Sequence, residues 1–220
     1  MMPVELFPKL TNLLSFLVVG TAILLIARGD LAGQVRLFAV QSLALSALAM
    51  IVATYAGSIE LLVVGLALAV IKVLIIPRVM RRAVIKIGLQ RAVAPYLGTA
   101  PALVVCGALV IIAFYVMAPI TASNPHPTAG AIPLAFAGIL IGFFVTVIRR
   151  RALTQILGFL MLENGIFLLA LLTTYGVPFI VEVGVFLDLL VAVLIMEIFI
   201  YRIKENFDSI EVRQMGRLKG

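Results

Sequence analysis

Residues 149–172 read RRRALTQILGFLMLENGIFLLALL, three arginines followed by a long apolar run in which Glu163 is the one charged side chain. A helix rises 1.5 Å per residue, so a run of this length crosses a hydrocarbon core of about 30 Å. Glu163 then lies roughly 18 Å from Arg151, close to the middle of the bilayer. An acidic residue at that depth costs about 2.5–3.5 kcal/mol even on the lenient insertion scale, so it calls for a compensating role. The stretch therefore reads as a transmembrane helix built around a buried carboxylate.

The rest of the chain repeats the pattern. Apolar segments of spanning length cover 7–27, 35–55, 59–76, 102–118, 132–148, 152–172 and 179–201, which predicts an all-α, polytopic membrane protein of about seven transmembrane helices. Hydrophobic residues make up 64% and charged residues 12% of the 220, and the mean hydropathy is +1.24. A soluble domain has roughly 45–50% apolar and 25% charged residues, so water is not the main solvent of this fold. Residues 1–220 form a single transmembrane domain with no stretch left for a separate soluble one. The start, Met1 to Lys9, contains Glu5 and lacks a basic n-region, so the first segment is read as retained and spanning.

The connections test the count independently of hydropathy. Arg28 and Arg36 flank the first, Arg78, Arg81, Arg82, Lys86 and Arg91 fill the third, and Arg149, Arg150 and Arg151 fill the fifth. The second and sixth have no basic residue, and the fourth, 119–131, has only His126. The tail, 202–220, is basic again. By the positive-inside rule the odd connections and the C-terminus are cytoplasmic and the N-terminus is outside. The net charge of +7 is thus a topology signal, and nucleic acid is not expected as a partner.

Residues 78–94 keep apolar positions among the arginines and are expected to lie as a basic amphipathic helix on the cytoplasmic surface. The fourth connection holds Pro119, Pro125, Pro127 and Pro133, which predicts an irregular external loop with a solvated His126 rather than a metal ligand. Cys106, the single cysteine, reads as a packing residue. A faint repeat relates Thr54-Tyr55-Ala56-Gly57 to Thr174-Tyr175-Gly176. It divides the chain into a first three-helix unit (7–76), a separate fourth helix (102–118) and a second three-helix unit (132–201).

The ionisable residues inside the spans carry the chemistry. Asp188 lies roughly 14 Å from Phe179, near the midplane, and a short turn lets it neighbour Glu163. Glu182 and Glu197 mark the outer and inner thirds of the same seventh helix, but at 100° per residue the three acids do not share one stripe. Lys72, about a turn from Pro77, could snorkel to the headgroups or be buried against a carboxylate. Gln41, Ser42 and Ser46 sit at helical spacing on the second helix and read as packing contacts, while Gln155 and Asn164 make the sixth helix the most polar. Glu163 and Asp188 are expected to handle protons, because a carboxylate held away from water can exchange them near neutral pH.

The run Leu160-Met161-Leu162-Glu163-Asn164-Gly165, followed by Val181-Glu182-Val183-Gly184 and Asp188, resembles the hydrogenase-4 component E family. The resemblance covers the whole chain, including Gln41-Ser42, Lys72-Val73-Leu74 ahead of Pro77, and the closing Leu218-Lys219-Gly220. The C-terminal helices also resemble the small K subunit of respiratory complex I and the C subunit of multisubunit cation/proton antiporters. They share a basic turn, here Arg149-Arg150, then Gly158, a mid-membrane glutamate and Asn164. Aligned on these, the small subunit's glutamate falls at Leu160, one turn from Glu163, and Asp188 stands where that subunit has a glutamate.

The resemblance implies a non-catalytic, cofactor-free subunit in the membrane arm of a group 4 [NiFe] hydrogenase or formate hydrogenlyase-like complex in the inner membrane. Its implied partners are antiporter-like subunits, a membrane anchor, hydrophilic [NiFe] and iron–sulfur subunits, and membrane lipid. Glu163 and Asp188, helped by Lys72, Glu182 and Glu197 with Gln41, Ser42, Gln155 and Asn164 in support, would form part of a proton path. A subunit of a cation/proton antiporter, or a purely architectural membrane subunit, are the competing readings.

Overall fold

The computed structural model describes residues 6–86 and 96–174. Its elements in chain order are α1 (Leu6–Ala27), α2 (Leu31–Ala56), α3 (Ile59–Leu68), a π-helical stretch (Ala69–Ile75), α4 (Ile76–Lys86), α5 (Thr99–Ser123), a short 3-10 turn (Ala129–Ala131), α6 (Ile132–Ile148) and α7 (Ala152–Thr174). No strand occurs among the described residues. Six helical spans, with α3 to α4 counted as one, are long and apolar enough to cross a membrane. The expected seventh span (179–201), the tail (202–220) and the later part of the second three-helix unit lie outside the described residues.

The turns follow from their end residues. Asp30 caps α2 by accepting from the Gly33 amide at 2.6 Å, and the Gln34 side chain closes the same turn on the Arg28 carbonyl at 2.7 Å. Gly57, in the left-handed region at φ 68°, ends α2, and Ser58 at once caps α3. Two residues thus reverse the chain between antiparallel helices.

Two expectations change. The helix expected to end at residue 76 continues through Pro77 to Lys86, so the first part of the 78–94 segment extends a spanning helix; 87–94 lie outside the described residues. The reason is the π-helical stretch just before Pro77: its wider turn, with the Ile76 amide reaching back to the Ile71 carbonyl, accommodates a residue that brings a ring and no amide hydrogen. Nor does the fourth connection exclude regular structure. Pro119 sits inside α5, near its end, where one missing bond is tolerated, and Pro133 occupies the first turn of α6, where its amide would have had no helical partner. His126 is half-buried, and its backbone amide donates to the Asn124 side chain.

The helices pack inside-out relative to a soluble protein. α1, α2, α6 and α7 form the interior: α2 packs on α1, α3 and α7, and α6 on α7, α5 and α1. α3 and α5 stand at the edges, and α5 presents Val104, Ile111 and Tyr115 at 73%, 72% and 84% exposure. An apolar surface of this extent is unsustainable in water and natural against lipid or another membrane subunit. Together with the six spans, it makes the chain a multi-pass membrane protein.

Both ends of the bundle are held by long-range contacts. At one, Arg149 is buried and its guanidinium donates to the Leu25 and Ile26 carbonyls at the end of α1, at 3.3 and 3.2 Å, while Arg150 lies over the Tyr96 ring at 4.2 Å. Burial pulls the Arg149 guanidinium below the ordinary arginine value. At the other, Phe7 stacks on Tyr55 at 3.9 Å and the Thr128 hydroxyl donates to the Leu172 carbonyl at 2.7 Å. The arginines of the first and fifth connections thus gather at one end, and the neutral turns at the other.

Candidate functional site: a buried polar layer between α2, α3 and α7

α6 and α7 approach so closely that side chains are excluded at the contact. A methyl group on Gly165 would meet the Ile139 amide nitrogen at 2.6 Å, one on Gly158 the Thr146 nitrogen at 2.7 Å, and one on Gly142 the backbone of Leu162. Gly138 and Gly142, four apart on α6, make the Gly-x-x-x-Gly pattern of close helix pairs. That contact holds one face of α7 fixed. Glu163 and Asn164, both buried, stand beside it and meet α2 and the π-helical stretch.

Lys72 is the single buried residue of that stretch. Its Nζ lies 2.9 Å from Glu163 Oε1 and donates to Asn164 Oδ1 at 3.1 Å. Lys72 is 1% and Glu163 3% exposed, so the lysine is buried against a carboxylate and does not snorkel. A widened turn displaces the side chain it carries from ordinary helical register, and such turns favour functional positions. Here it brings an ammonium group to a carboxylate within the apolar bundle.

Asn164 joins the pair to the next helix. Its Nδ2 donates to Gln41 Oε1 at 3.1 Å and to Ser42 Oγ at 3.2 Å. Gln41 Nε2 in turn donates to the Val18 carbonyl of α1 at 3.0 Å, and Ser46 Oγ to the Gly65 carbonyl of α3 at 2.6 Å. Five side chains from three spans thus form one connected layer, and every helix they touch gains a polar contact in a medium that offers no competing water. The layer joins a carboxylate and an ammonium group to neutral amide and hydroxyl groups. No cluster of three His, Cys, Asp or Glu residues able to hold a metal occurs among the described residues.

Of the residues singled out from the sequence, Lys72, Glu163, Asn164, Gln41 and Ser42 come together here. Gln155 stands apart: it is exposed and donates to the Arg149 carbonyl at 2.9 Å, closing the turn before α7. Asp188, Glu182 and Glu197 lie outside the described residues. Sequence reading passed over Gly138 and Gly142, although their spacing within an apolar run was the available signal.

The chain is 36% identical over 199 residues, 90% of each sequence, to the uncharacterized protein Rv0085 of Mycobacterium tuberculosis. It is 26% identical over 183 residues, 83% of its own length and 85% of the other, to hydrogenase-4 component E of Escherichia coli K12, and equally to that of Shigella flexneri. No protein-family model and no solved structure matches it. Relatives of both kinds cover most of its length, and the chain is a homologue of hydrogenase-4 component E.

Proposed function

We propose that this chain is a membrane-arm subunit of a [NiFe] hydrogenase complex of the hydrogenase-4 type, related to respiratory complex I, in which it carries part of a proton path. The kinship with component E supports the complex. The buried Lys72–Glu163 pair, bound through Asn164 to α2, is the observation that supports the path. In this reading the arginine-bearing end faces the cytoplasm, the membrane is the inner membrane, and antiporter-like, anchor and hydrophilic redox subunits are the neighbours.

The chemistry is a proton exchange within the pair. Moving one proton from Lys72 Nζ to Glu163 Oε1 turns an ammonium–carboxylate pair into an amine and a carboxylic acid, with no net charge created in the bilayer. A further proton delivered to the amine from one side, and the acid's proton released to the other, restores the pair and completes one transfer. Asp188, Glu182 and Glu197 on the following segment are the proposed continuation. The complex would also depend on this chain for assembly, since the same layer ties α2, the π-helical stretch and α7 together.

The test is Glu163→Gln in the whole complex, reconstituted into vesicles and supplied with its redox substrates. Intact assembly and hydrogen chemistry with proton uptake lost is the expected result. Undiminished coupled uptake would remove the proton role and leave the architectural one. Mass spectrometry of the companions captured with the tagged chain decides between a hydrogenase and a cation/proton antiporter.

A further inference from the structure

Most hydroxyls of the described helices have a partner, and Thr11, Ser15 and Thr121 are the ones whose buried oxygen has none among the described residues. Thr21, Thr146, Thr173 and Thr174 turn back onto the carbonyl four residues earlier, at 2.7 to 2.9 Å, as hydroxyls in apolar helices ordinarily do. Thr11 and Ser15 on α1 do not. Both are fully buried, at 0% exposure, and neither Oγ1 of Thr11 nor Oγ of Ser15 makes a hydrogen bond among the described residues. An unsatisfied buried hydroxyl costs about 1–3 kcal/mol, so two of them one turn apart require a partner.

Their positions align them along one face of α1. At 100° per residue Thr11, Ser15 and Val18 lie within roughly 60° of one another on α1. Thr11 and Ser15 are roughly 6 Å apart along the axis, the span bridged by one water with two hydrogen bonds. Ser15 is roughly 4.5 Å along the axis from Val18, whose carbonyl receives the Gln41 amide that leads through Asn164 to Lys72 and Glu163. Phe7, one turn further out on the same face, stacks on Tyr55 at the arginine-free end. The two hydroxyls therefore span the apolar gap between that end and the polar layer.

We propose that Thr11 and Ser15 bind a file of ordered water along α1, and that this file is the inlet joining the arginine-free side of the membrane to the Lys72–Glu163 pair. The inlet rests on the proton-handling reading given above. Each water and hydroxyl in the file accepts a proton on one side and releases another on the opposite side, so the file conducts without being consumed and needs no further reactant. A hydroxyl suits this role because it donates and accepts at once.

The test pairs a structure with a rate. A structure of the whole complex at a resolution that shows water should carry density within hydrogen-bonding distance of both hydroxyls, and dry density there overturns the inlet whatever Glu163 does. Thr11→Val with Ser15→Ala should slow coupled proton movement at least roughly tenfold, since two hydroxyls that hold the file are lost. Thr11→Ser with Ser15→Thr should restore it. An unaltered rate in the Val/Ala variant, with Glu163→Gln blocked, overturns the inlet and leaves the proton role standing. Water at the site with Glu163→Gln fully active removes the proton role and the inlet with it.

Discussion

α5 and α7 are both long, apolar helices of 25 and 23 residues, and they end up in opposite surroundings. Only 17% of the spanning window of α5 is buried, against 72% for α7, although α7 is the one that carries a carboxylate, two amides and two close-contact glycines. In water the more apolar helix would take the centre. In lipid, hydrocarbon is no reason to leave the surface, and a helix is drawn inside by small residues that allow close approach and polar groups that need partners. The difference teaches that burial in this molecule follows the glycines and amides rather than hydropathy.

The sharpest way to break that contrast is to remove half of the pair that α7 holds. Lys72→Met leaves Glu163 as a buried charge without its closest cation and should cost about 3–5 kcal/mol of stability, whereas Lys72→Met with Glu163→Leu should cost far less. Thermal unfolding of the full chain in detergent reads both, and a double variant as damaged as the single would show that the network beyond the pair carries the stability. The next effect is steric. Gly142→Leu drives a side chain into the backbone of Leu162 and should cost about 1–3 kcal/mol by the same assay. Gly107→Leu on α5, where nothing lies within 4 Å, should cost nothing measurable. The smallest effect is expected at the exposed face itself: Ile111→Ala should shift stability by less than about 0.5 kcal/mol in the isolated chain. A loss of complex recovery in the same variant would mark α5 as facing a partner subunit instead of lipid.

Much of this was legible in the sequence, because the six described spans are set by runs of apolar residues that no tertiary contact has to arrange. Lys72, Glu163, Asn164, Gln41 and Ser42 were each visible as polar groups at membrane depth. That they meet was not, since Lys72 and Asn164 are 92 positions apart, and periodicity along one helix carries no information about its neighbours. The π-helical stretch escaped notice for a different reason: residues 69–75 are ordinary helix formers, and the wide turn belongs to the packing of Lys72 and the accommodation of Pro77. Pro119 misled because α5 runs on through it for one more turn, so that the proline precedes the end of the helix instead of marking it. Gln155 looked like a neighbour of Glu163 by proximity in sequence, yet two turns along the axis take it out to the surface.

The backbone-to-backbone contact of α6 with α7 also has a mechanical side. Two helices that touch backbone to backbone at Gly142, Gly158 and Gly165 have little room to shift against each other, which makes the pair a stiff beam. The opposite wall of the polar layer is made of the wide turn in the third span and of α2, joined to the beam by the Lys72–Glu163 ion pair at 2.9 Å and by side-chain hydrogen bonds of 3.1 to 3.2 Å. A slide of one wall against the other along that seam would alter which groups Lys72 and Asn164 can reach.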